Sequence, residues 1–243
     1  MGRGRHAGYD DQRGAILAQA ARLFATQGYS ATSMNQVAEA CGLSKATLYH
    51  YYRDKYALLF SIADGHVQRL QAIADEAAAE GGDARQLMQA LIRRLLEAYA
   101  HAQDEHWVLT SEVRFLEPSD RKRVLDRERD VVARFARAVA ALRPDLDEAS
   151  LAKPLTMLLF GMVNWMFTWM KPDGKLDHEA MAPVVADLFL GGLGAVRLAP
   201  PRSGERLGGG RFDARTGAGS PPPPPQPSPG GGGSQYIPKE TSP

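Results

Sequence analysis

Residues 31–56 read Ala-Thr-Ser-Met-Asn-Gln-Val-Ala-Glu-Ala-Cys-Gly-Leu-Ser-Lys-Ala-Thr-Leu-Tyr-His-Tyr-Tyr-Arg-Asp-Lys-Tyr, and this stretch decides the fold. It contains two short helical patterns joined by Gly42, and glycine readily adopts the left-handed conformation in which many helices end. The second pattern is too polar and too aromatic for an ordinary core helix. This combination is typical of a helix-turn-helix that reads DNA.

The first helix is indicated by two possible caps and one apolar stripe. The side chains of Thr32 and Ser33 can each cap a helix start. The apolar residues that follow recur at the spacing of a single helical face, namely Met34, Val37, Ala38 and Cys41. We therefore expect a short helix that packs through this stripe and ends before Gly42.

The second helix is predicted over residues 45–52, with Ser44 as its N-cap and Leu48 as its one plain core residue. Its other side chains are expected to point elsewhere, and they include three tyrosines: Tyr49, Tyr51 and Tyr52. A solvated face rarely carries so many rings. In a major groove, however, hydroxyls, rings and the Lys45 ammonium can contact base edges and phosphates.

A third helix is predicted to begin after Asp54, which is a natural N-cap. Lys55 then lies in the first turn, where a cation opposes the helix dipole. A bound phosphate would compensate, because helix N-termini bind phosphate. The residue pattern therefore predicts a phosphate contact at this point.

The headpiece resembles the N-terminal DNA-binding domain of the TetR/AcrR family of bacterial transcriptional regulators. The resemblance covers about a quarter of the chain without a gap, and its matching residues are Phe24, Gly28, Tyr29, Thr32, Val37, Ala38, Gly42, Leu43, Ser44, Thr47, Leu48, Tyr49, Tyr51, Lys55 and Leu58. Two positions depart from the pattern: Ala46 stands where the family often has Gly, and Tyr52 where it usually has Phe. We expect these departures to alter sequence preference rather than abolish binding.

The resemblance implies two sets of contacts with an operator in double-stranded DNA. Base-edge contacts are expected from Lys45, Ala46, Thr47 and Tyr49, with Asn35 joining from the preceding helix. Phosphate contacts are expected from Thr32 or Ser33, and from His50, Tyr51 and Lys55. The alternative is a three-helix packing module whose surface is merely polar.

Composition limits the classes of protein. The chain has 243 residues, is 44% hydrophobic and carries a net charge of +1, so it can bury a sizeable core and is no polycation. Residues 1–56 hold seven Lys or Arg against four acids, which suits a module touching a few phosphates. The basic arm at 1–9, with Arg3 and Arg5, is predicted to be flexible and to follow the minor groove or remain disordered.

The single Cys41 cannot form an internal disulfide, which favours a reducing cytoplasm. We interpret it as a packed thiol, with a redox switch as the alternative. The start of the chain does not read as a signal peptide. The most apolar run, residues 155–170, is interrupted by Asn164 and is shorter than the roughly 20 residues that span a bilayer. No membrane association is therefore predicted.

The predicted fold is all-α: an N-terminal three-helix helix-turn-helix domain at 10–56 and a C-terminal helical ligand-binding and dimerisation domain at 57–198. Helices are expected from Asp10 or Asp11 to Gln27, over 54–80, from a cap at Asp83, around 105–116, over 119–142 with Ser119 as cap, over 147–170 and over 181–193. Residues 171–174 are expected to form a tight turn. The Pro/Gly-rich tail at 199–243 is predicted to be disordered.

The helix around 147–170 is apolar on nearly every face, so both of its sides should be buried. A second copy of the chain could cover the outer side, and this predicts a two-fold homodimer through the last two helices. The family resemblance implies the same pairing. The alternative is the central helix of a monomer.

An effector site in the C-terminal half is predicted from scattered residues. Trp107 and Arg114 are seven apart and should share a helical face, while Asn164, Trp165 and Trp169 lie within the apolar helix. An unpaired buried amide would cost roughly 1–3 kcal/mol, so Asn164 needs a partner. The alternative is that Asn164 pairs across the dimer and the tryptophans are core residues.

Two segments, 106–116 and 161–165, resemble the TetR subgroup that controls fatty-acid, phenylacetate and related aromatic degradation. Effectors of that subgroup are acyl-CoA thioesters, which makes a fatty or aromatic acyl-CoA the implied ligand. An arginine such as Arg114 or Arg94 would then face the CoA phosphates.

The sequence predicts no catalytic residues, no metal ligands and no cofactor. His101 and Glu105 are four apart, but no third metal ligand is evident. Taken together, the residues favour a ligand-responsive transcriptional regulator, a repressor released from its operator by the effector. The alternatives are a regulator that senses a drug-like hydrophobe or a metal, and a helical scaffold that recruits partners through the prolines at 221–225.

Overall fold

The structure, a computed structural model, describes the backbone of residues 3–170 and 176–198, and the side chains of these residues except 3–7, 167 and 168. The predicted turn at 171–174 and the predicted disordered tail at 199–243 lie outside the described residues. Every regular element in the described part of the chain is a helix, which confirms the all-α fold class.

Ten α-helices and one short 3-10 helix are seen in the described ranges. They are α1 Arg3–Gln27, α2 Met34–Ala40, α3 Lys45–Tyr51, α4 Lys55–Ala79, α5 Ala84–His101, α6 Gln103–Ser111, the 3-10 helix Val113–Phe115, α7 Pro118–Leu142, α8 Pro144–Glu148, α9 Ala152–Trp169 and α10 His178–Ala195.

Side-chain caps start the helices of the N-terminal part. Ser33 caps α2, because its hydroxyl accepts from the Gln36 backbone N–H. In return, the side-chain oxygen of Gln36 accepts from the Ser33 backbone N–H at 2.8 Å. Ser44 caps α3 and Asp54 caps α4, as the sequence predicts. Gly42 has a φ of 64°, the left-handed conformation expected after α2.

Helix α1 begins at Arg3, so the start predicted at Asp10 or Asp11 is wrong. Most of the arm predicted to be flexible is therefore helical. Two glycines weaken this segment as an isolated helix. The Tyr9 ring, however, stacks on Tyr51 with 4.8 Å between ring centroids, and this contact holds the first turns of α1 against α3.

Three helix starts in the body also differ from the sequence prediction. The helix predicted over 147–170 is divided, since α8 ends at Glu148 and α9 begins at Ala152. Helix α7 begins at Pro118, and Ser119 is not its cap, because proline is already suited to the first helical position. Helix α10 begins at His178, three residues early, because the Asp177 carboxylate accepts from the Ala180 N–H at 2.8 Å.

The three-helix headpiece packs around fully buried apolar side chains, which include Ile16 and Phe24 of α1, Val37 of α2 and Leu48 of α3. Tyr52 corrects the sequence prediction, because it is buried rather than outward-facing. The backbone turns extended at Tyr52, and its hydroxyl accepts a hydrogen bond from Arg13 Nε at 3.1 Å.

Helix α4 continues from the headpiece into the body, so the predicted division at residue 56 falls inside one helix. Beside it lies α7, whose first turns reach the headpiece end of α4. The Tyr56 hydroxyl donates to Asp120 at 2.6 Å and accepts from the Glu117 N–H at 3.1 Å. This contact fixes α7 to the start of α4.

Further polar contacts join α4 to α7 along their length, and together with Tyr56 we call them the α4–α7 ladder. They are the Arg123 guanidinium over the Phe60 ring, Asp64 with Arg123 and Arg127 at 3.2 Å each, Gln71 with Asp130 at 3.4 Å, and Asp75 with Arg134 at 3.1 Å. Because the partner numbers rise together, the two helices run parallel.

The last two helices have one buried and one exposed apolar side. The buried side of α9 includes Leu159 and Val163. Helix α10 packs on α5, and its buried residues include Phe189. The opposite sides expose large apolar residues: Met157, Leu158, Trp165, Trp169, Val184 and Leu188. None of the described helices is long and apolar enough to cross a membrane.

The ladder should be strongest at Asp64, whose side chain is only 8% exposed against 63% for Asp75. We expect Asp64→Asn to lower the free energy of unfolding by about 1–3 kcal/mol, since two guanidinium groups lose a buried carboxylate. Asp75→Asn, the matched change on the same helix, should cost under about 1 kcal/mol. Urea denaturation measures both, and equal costs would show that burial does not control the ladder.

Candidate DNA-binding surface and ligand site

Helix α3 protrudes from the headpiece and is held by one fully buried residue, Leu48. The side chains that could meet DNA are exposed on its other faces, namely Lys45, Ala46, Thr47, Tyr49 and His50. Asn35 of α2 is also exposed. The helix therefore presents an ammonium, hydroxyls and rings without burying them, as a helix that enters a groove must.

Local contacts orient these side chains. The Ser44 and Thr47 hydroxyls are 2.7 Å apart, and the Ser44 oxygen also accepts from the Thr47 N–H at 3.0 Å. The Lys45 ammonium lies 5.9 Å from the centroid of the Tyr49 ring, within cation–π range. The first turn of α3 is thus ordered before any DNA is bound.

Tyr51 is half-buried rather than fully exposed, because Tyr9 of α1 stacks on it. The Tyr9 ring also lies edge-on to His50, with 6.4 Å between centroids. The first turns of α1 therefore border the exposed helix α3. Sequence reasoning missed Tyr9, although an aromatic residue at the end of a basic arm was an available signal.

Lys55 is used inside the protein. Its ammonium donates to the backbone oxygens of Tyr29 and Thr32, each at 2.7 Å, with Ser30 at 3.3 Å, and lies 4.4 Å from the Tyr29 ring centroid. Burial lowers the pKa of Lys55 from its ordinary value. An ammonium has three hydrogens, so these carbonyls can use all of them. This geometry favours a positioning role over the direct phosphate contact expected from the sequence.

Thr32 and Ser33, the two alternatives for a phosphate contact, differ in burial. Thr32 is 2% exposed, and its hydroxyl donates to the Gly28 backbone oxygen at 2.9 Å. Ser33 is exposed at the start of α2. Of the two, only Ser33 remains available for a phosphate contact.

Replacing the Lys55 ammonium tests its positioning role. We expect Lys55→Met to lower the free energy of unfolding by about 1–3 kcal/mol, because buried carbonyls of the α1–α2 turn lose their donor. The control Lys45→Met removes an exposed ammonium and should leave stability within about 0.5 kcal/mol of the parent. Thermal denaturation provides the measurement.

A different result for Lys55→Met would favour a direct phosphate contact. The variant would then be as stable as the parent, and the slope of log DNA affinity against log salt concentration would be smaller by about one.

The body contains a chain of buried polar side chains, which we call the buried polar chain: His66, His106, Tyr99 and Asn164. His66 Nε2 and His106 Nδ1 are 3.3 Å apart, and the Tyr99 ring stacks on His106 with 4.0 Å between centroids. The Tyr99 hydroxyl donates to Asn164 Oδ1 at 3.0 Å. The side-chain oxygen of Asn164 thus has a hydrogen-bond partner within its own chain and does not need one from a second copy.

Burial controls the ionisation of this region. It lowers the pKa of His66 to about 2, with His106 and Arg69 adding to the effect, and it lowers the pKa of His106 to about 4. Burial also raises the pKa of the nearby Glu128 to about 7. Both imidazoles are therefore neutral at pH 7, and the interior favours uncharged polar groups.

The buried atoms of the body that have no hydrogen-bond partner among the described residues include His66 Nδ1 and Glu112 Oε2. Buried polar atoms without partners are costly, so they are natural places for a ligand's polar group to bind. Sequence reasoning missed His66, Tyr99 and Glu128. The available signal was a histidine on the apolar face of α4.

The ligand residues predicted from sequence are not gathered in one place. Trp107 is half-buried on α6, which ends at Ser111, so the exposed Arg114 does not continue its helical face. Trp165 and Trp169 are 53% and 50% exposed on the outer side of α9. Arg94 pairs with Glu76 at 2.8 Å and with Glu80, so carboxylates of its own chain already balance its charge.

The remaining polar candidates do not form a metal centre. His101 ends α5 while Glu105 lies on α6, where it faces Arg69 at 3.9 Å. Within residues 3–170 and 176–198, no three His, Cys, Asp or Glu side chains are placed to hold a metal ion. Burial raises the pKa of Cys41, which makes its thiol less reactive and favours the packing role.

A protruding polar helix on a capped helix-turn-helix, joined by one continuous helix to a helical body, defines a DNA-binding transcriptional regulator. Comparison with family models agrees. Residues 16–62 match the model of the bacterial regulatory proteins of the tetR family, and residues 81–193 match the tetracyclin repressor-like C-terminal domain. The chain belongs to the TetR family.

Three relatives show the extent of the similarity. A TetR-family regulator from Bordetella parapertussis is 35% identical, with a TM-score of 0.70, over 77% of this chain and 98% of its own. The repressor KstR2 of Rhodococcus jostii is 24% identical over 77% of this chain and 93% of its own. AibR, solved with isovaleryl coenzyme A and operator DNA, is 26% identical, with a TM-score of 0.62. The match covers 73% of this chain and 97% of AibR.

Proposed function

We propose that this protein is a cytoplasmic repressor that binds its operator as a homodimer and leaves it when a fatty or aromatic acyl-CoA binds the body. The observation that carries the proposal is helix α3, which exposes Lys45, Thr47 and Tyr49 and buries only Leu48. Such a helix has no packing use for these side chains, whereas base edges and phosphates suit them.

The DNA contacts follow from exposure. Base edges are assigned to Lys45, Ala46, Thr47 and Tyr49 of α3, with Asn35 of α2, and phosphates to Ser33, His50 and Tyr51. Thr32 and Lys55 are assigned the role of holding the α1–α2 turn in place. Two headpieces would then read half-sites about 34–36 Å apart, one helical turn of DNA.

The outer sides of α9 and α10 support the homodimer. Large apolar side chains such as Leu158, Trp165 and Leu188 are more than half exposed there. An apolar patch of this kind marks an interaction surface, and a second copy covers it with the same surface by two-fold symmetry. Trp165 and Trp169 are therefore assigned to this interface rather than to the effector.

The buried polar chain supports an effector that enters the body. Uncharged polar groups surrounded by apolar helices suit the carbonyl and amide groups of a thioester better than a free carboxylate, whose charge burial disfavours. The likeness to AibR, whose structure contains isovaleryl coenzyme A, favours a CoA thioester over another hydrophobe.

Binding to the DNA upstream of its own gene tests the proposal. We expect specific binding that weakens steeply with salt, and that falls about a hundredfold or more in a Lys45→Ala, Tyr49→Ala variant, because two base contacts are lost. Arg85→Ala, an exposed change on α5, is the control and should bind normally. Fluorescence anisotropy with promoter and random DNA measures all three.

Addition of fatty and aromatic acyl-CoA thioesters to the same complex tests the effector class, with the free acids as controls. Release by a thioester but not by its acid supports the acyl-CoA assignment. Specific binding that no thioester affects would remove the effector assignment and leave the regulator. Equal affinity for promoter and random DNA would favour a helical scaffold instead.

The dimer is tested by charging its proposed interface. We expect Leu158→Lys with Leu188→Lys to yield a folded monomer, because an interface cannot bury ammonium groups without partners. Gln89→Lys, on the exposed side of α5, should leave the dimer intact. Sedimentation velocity gives the masses, and a dimeric double variant would contradict this interface.

A further inference from the structure

A groove of about 460 Å³ lies between the 3-10 helix and the first turns of α7. Its lining comes from two short stretches of chain: Arg114, Leu116, Pro118, Arg121, Lys122, Leu125 and Arg129. The α7 residues recur at the spacing of a single helical face. The groove is therefore part of the body and stands apart from helix α3.

Positive charge dominates this groove. Four of its lining residues are cationic, and none of the described carboxylates lines it. Asp126 beside the groove offsets part of this charge, since it pairs with Lys122 at 2.6 Å and Arg129 at 2.5 Å. Among the described residues, no carboxylate lies within ion-pair distance of Arg114 or Arg121.

Arg121 provides an independent sign of a missing partner. Its Nε atom is buried and makes no hydrogen bond within the described part of the chain. A guanidinium is suited to bind phosphate through two parallel hydrogen bonds, and the loss of a buried donor's partner is costly. Leu116, Pro118 and Leu125 add apolar surface between the cations. This combination suits a phosphate-bearing molecule that also has an apolar part.

The groove also adjoins the contacts that hold the headpiece. The Phe115 ring lies 5.2 Å from the Tyr29 ring, between centroids, and the Tyr29 backbone oxygen accepts from Lys55. Glu117, on the other side of Leu116, donates its N–H to the Tyr56 hydroxyl. A ligand that pulls on Leu116 therefore acts one residue away from both contacts, and Arg114 adjoins Phe115.

We propose that this groove binds the phosphate-bearing end of the effector, with Arg114 and Arg121 as the phosphate ligands. The inference rests on the proposed function and adds to it the part of the protein that recognises the effector's phosphates. Docking there couples the effector to the headpiece through the 3-10 helix.

Three probes that differ in phosphate content test this site: coenzyme A, 3′-dephospho-coenzyme A and pantetheine. We expect affinity for the intact dimer, measured by isothermal titration calorimetry, to fall in that order, with coenzyme A at least about tenfold tighter than pantetheine. In an Arg114→Gln, Arg121→Gln variant the preference should disappear. Arg137→Gln, an exposed change on α7 outside the groove, should retain it.

Thermal denaturation shows whether the variants are folded. Arg121→Lys is a second control, because lysine keeps the charge and should retain part of the preference for coenzyme A over pantetheine. Equal affinity of the parent protein for coenzyme A and pantetheine would overturn the site, even if promoter binding and release by another molecule remained. Loss of promoter affinity in the double glutamine variant without any ligand would also overturn it, since the groove would then be a contact for DNA phosphates.

Discussion

The ammonium of Lys55 is the contact on which the DNA-binding surface depends. It joins the first turn of α4 to the backbone oxygens of Tyr29 and Thr32, in the turn that leads into α2. Since α2 packs on α3, a cation that opposes the helix dipole at the start of α4 holds the turn on which α3 depends. The favourable carbonyl contacts offset the unfavourable helix dipole, and Asp54 supplies the cap that the helix start still needs.

The body places polarity where a structural core would normally avoid it. His66, Tyr99 and His106 are almost fully buried. His66 and His106 are within hydrogen-bond distance, the His106 ring packs on Tyr99, and Tyr99 donates a hydrogen bond to Asn164 on α9. An apolar core of the same shape would be at least as stable, because desolvating polar groups is unfavourable. The polarity fits the effector binding that we propose, and it lies between the helix that carries the headpiece and a helix of the proposed dimer interface.

Local patterns allowed the fold to be predicted from sequence, while long-range contacts decided the rest. Ser44, Leu48 and Gly42 were predictable because a cap, a buried position and a left-handed turn are each encoded within a few residues. The burial of Tyr52 depends on Arg13, the use of Lys55 on Tyr29, and the pairing of Arg94 on Glu76 and Glu80. No periodicity reveals such partners, since they lie 14 to 39 positions away. The effector residues were harder still, because α6 ends between Trp107 and Arg114.

The α4–α7 ladder makes α4 and α7 a single rigid unit that ends at the headpiece. Its contacts run from Tyr56 to Asp75, so the paired helices tilt together instead of bending at the junction between headpiece and body. From Asp75 to Lys55 the helix is about 30 Å long, and a tilt of about 5° would move the headpiece by about 3 Å. In the proposed dimer, opposite displacements of this size would change the distance between the two headpieces. The change is larger than a hydrogen bond can stretch. In the dimer that we propose, a rotation too small to disturb the core would therefore take both α3 helices out of register with the DNA.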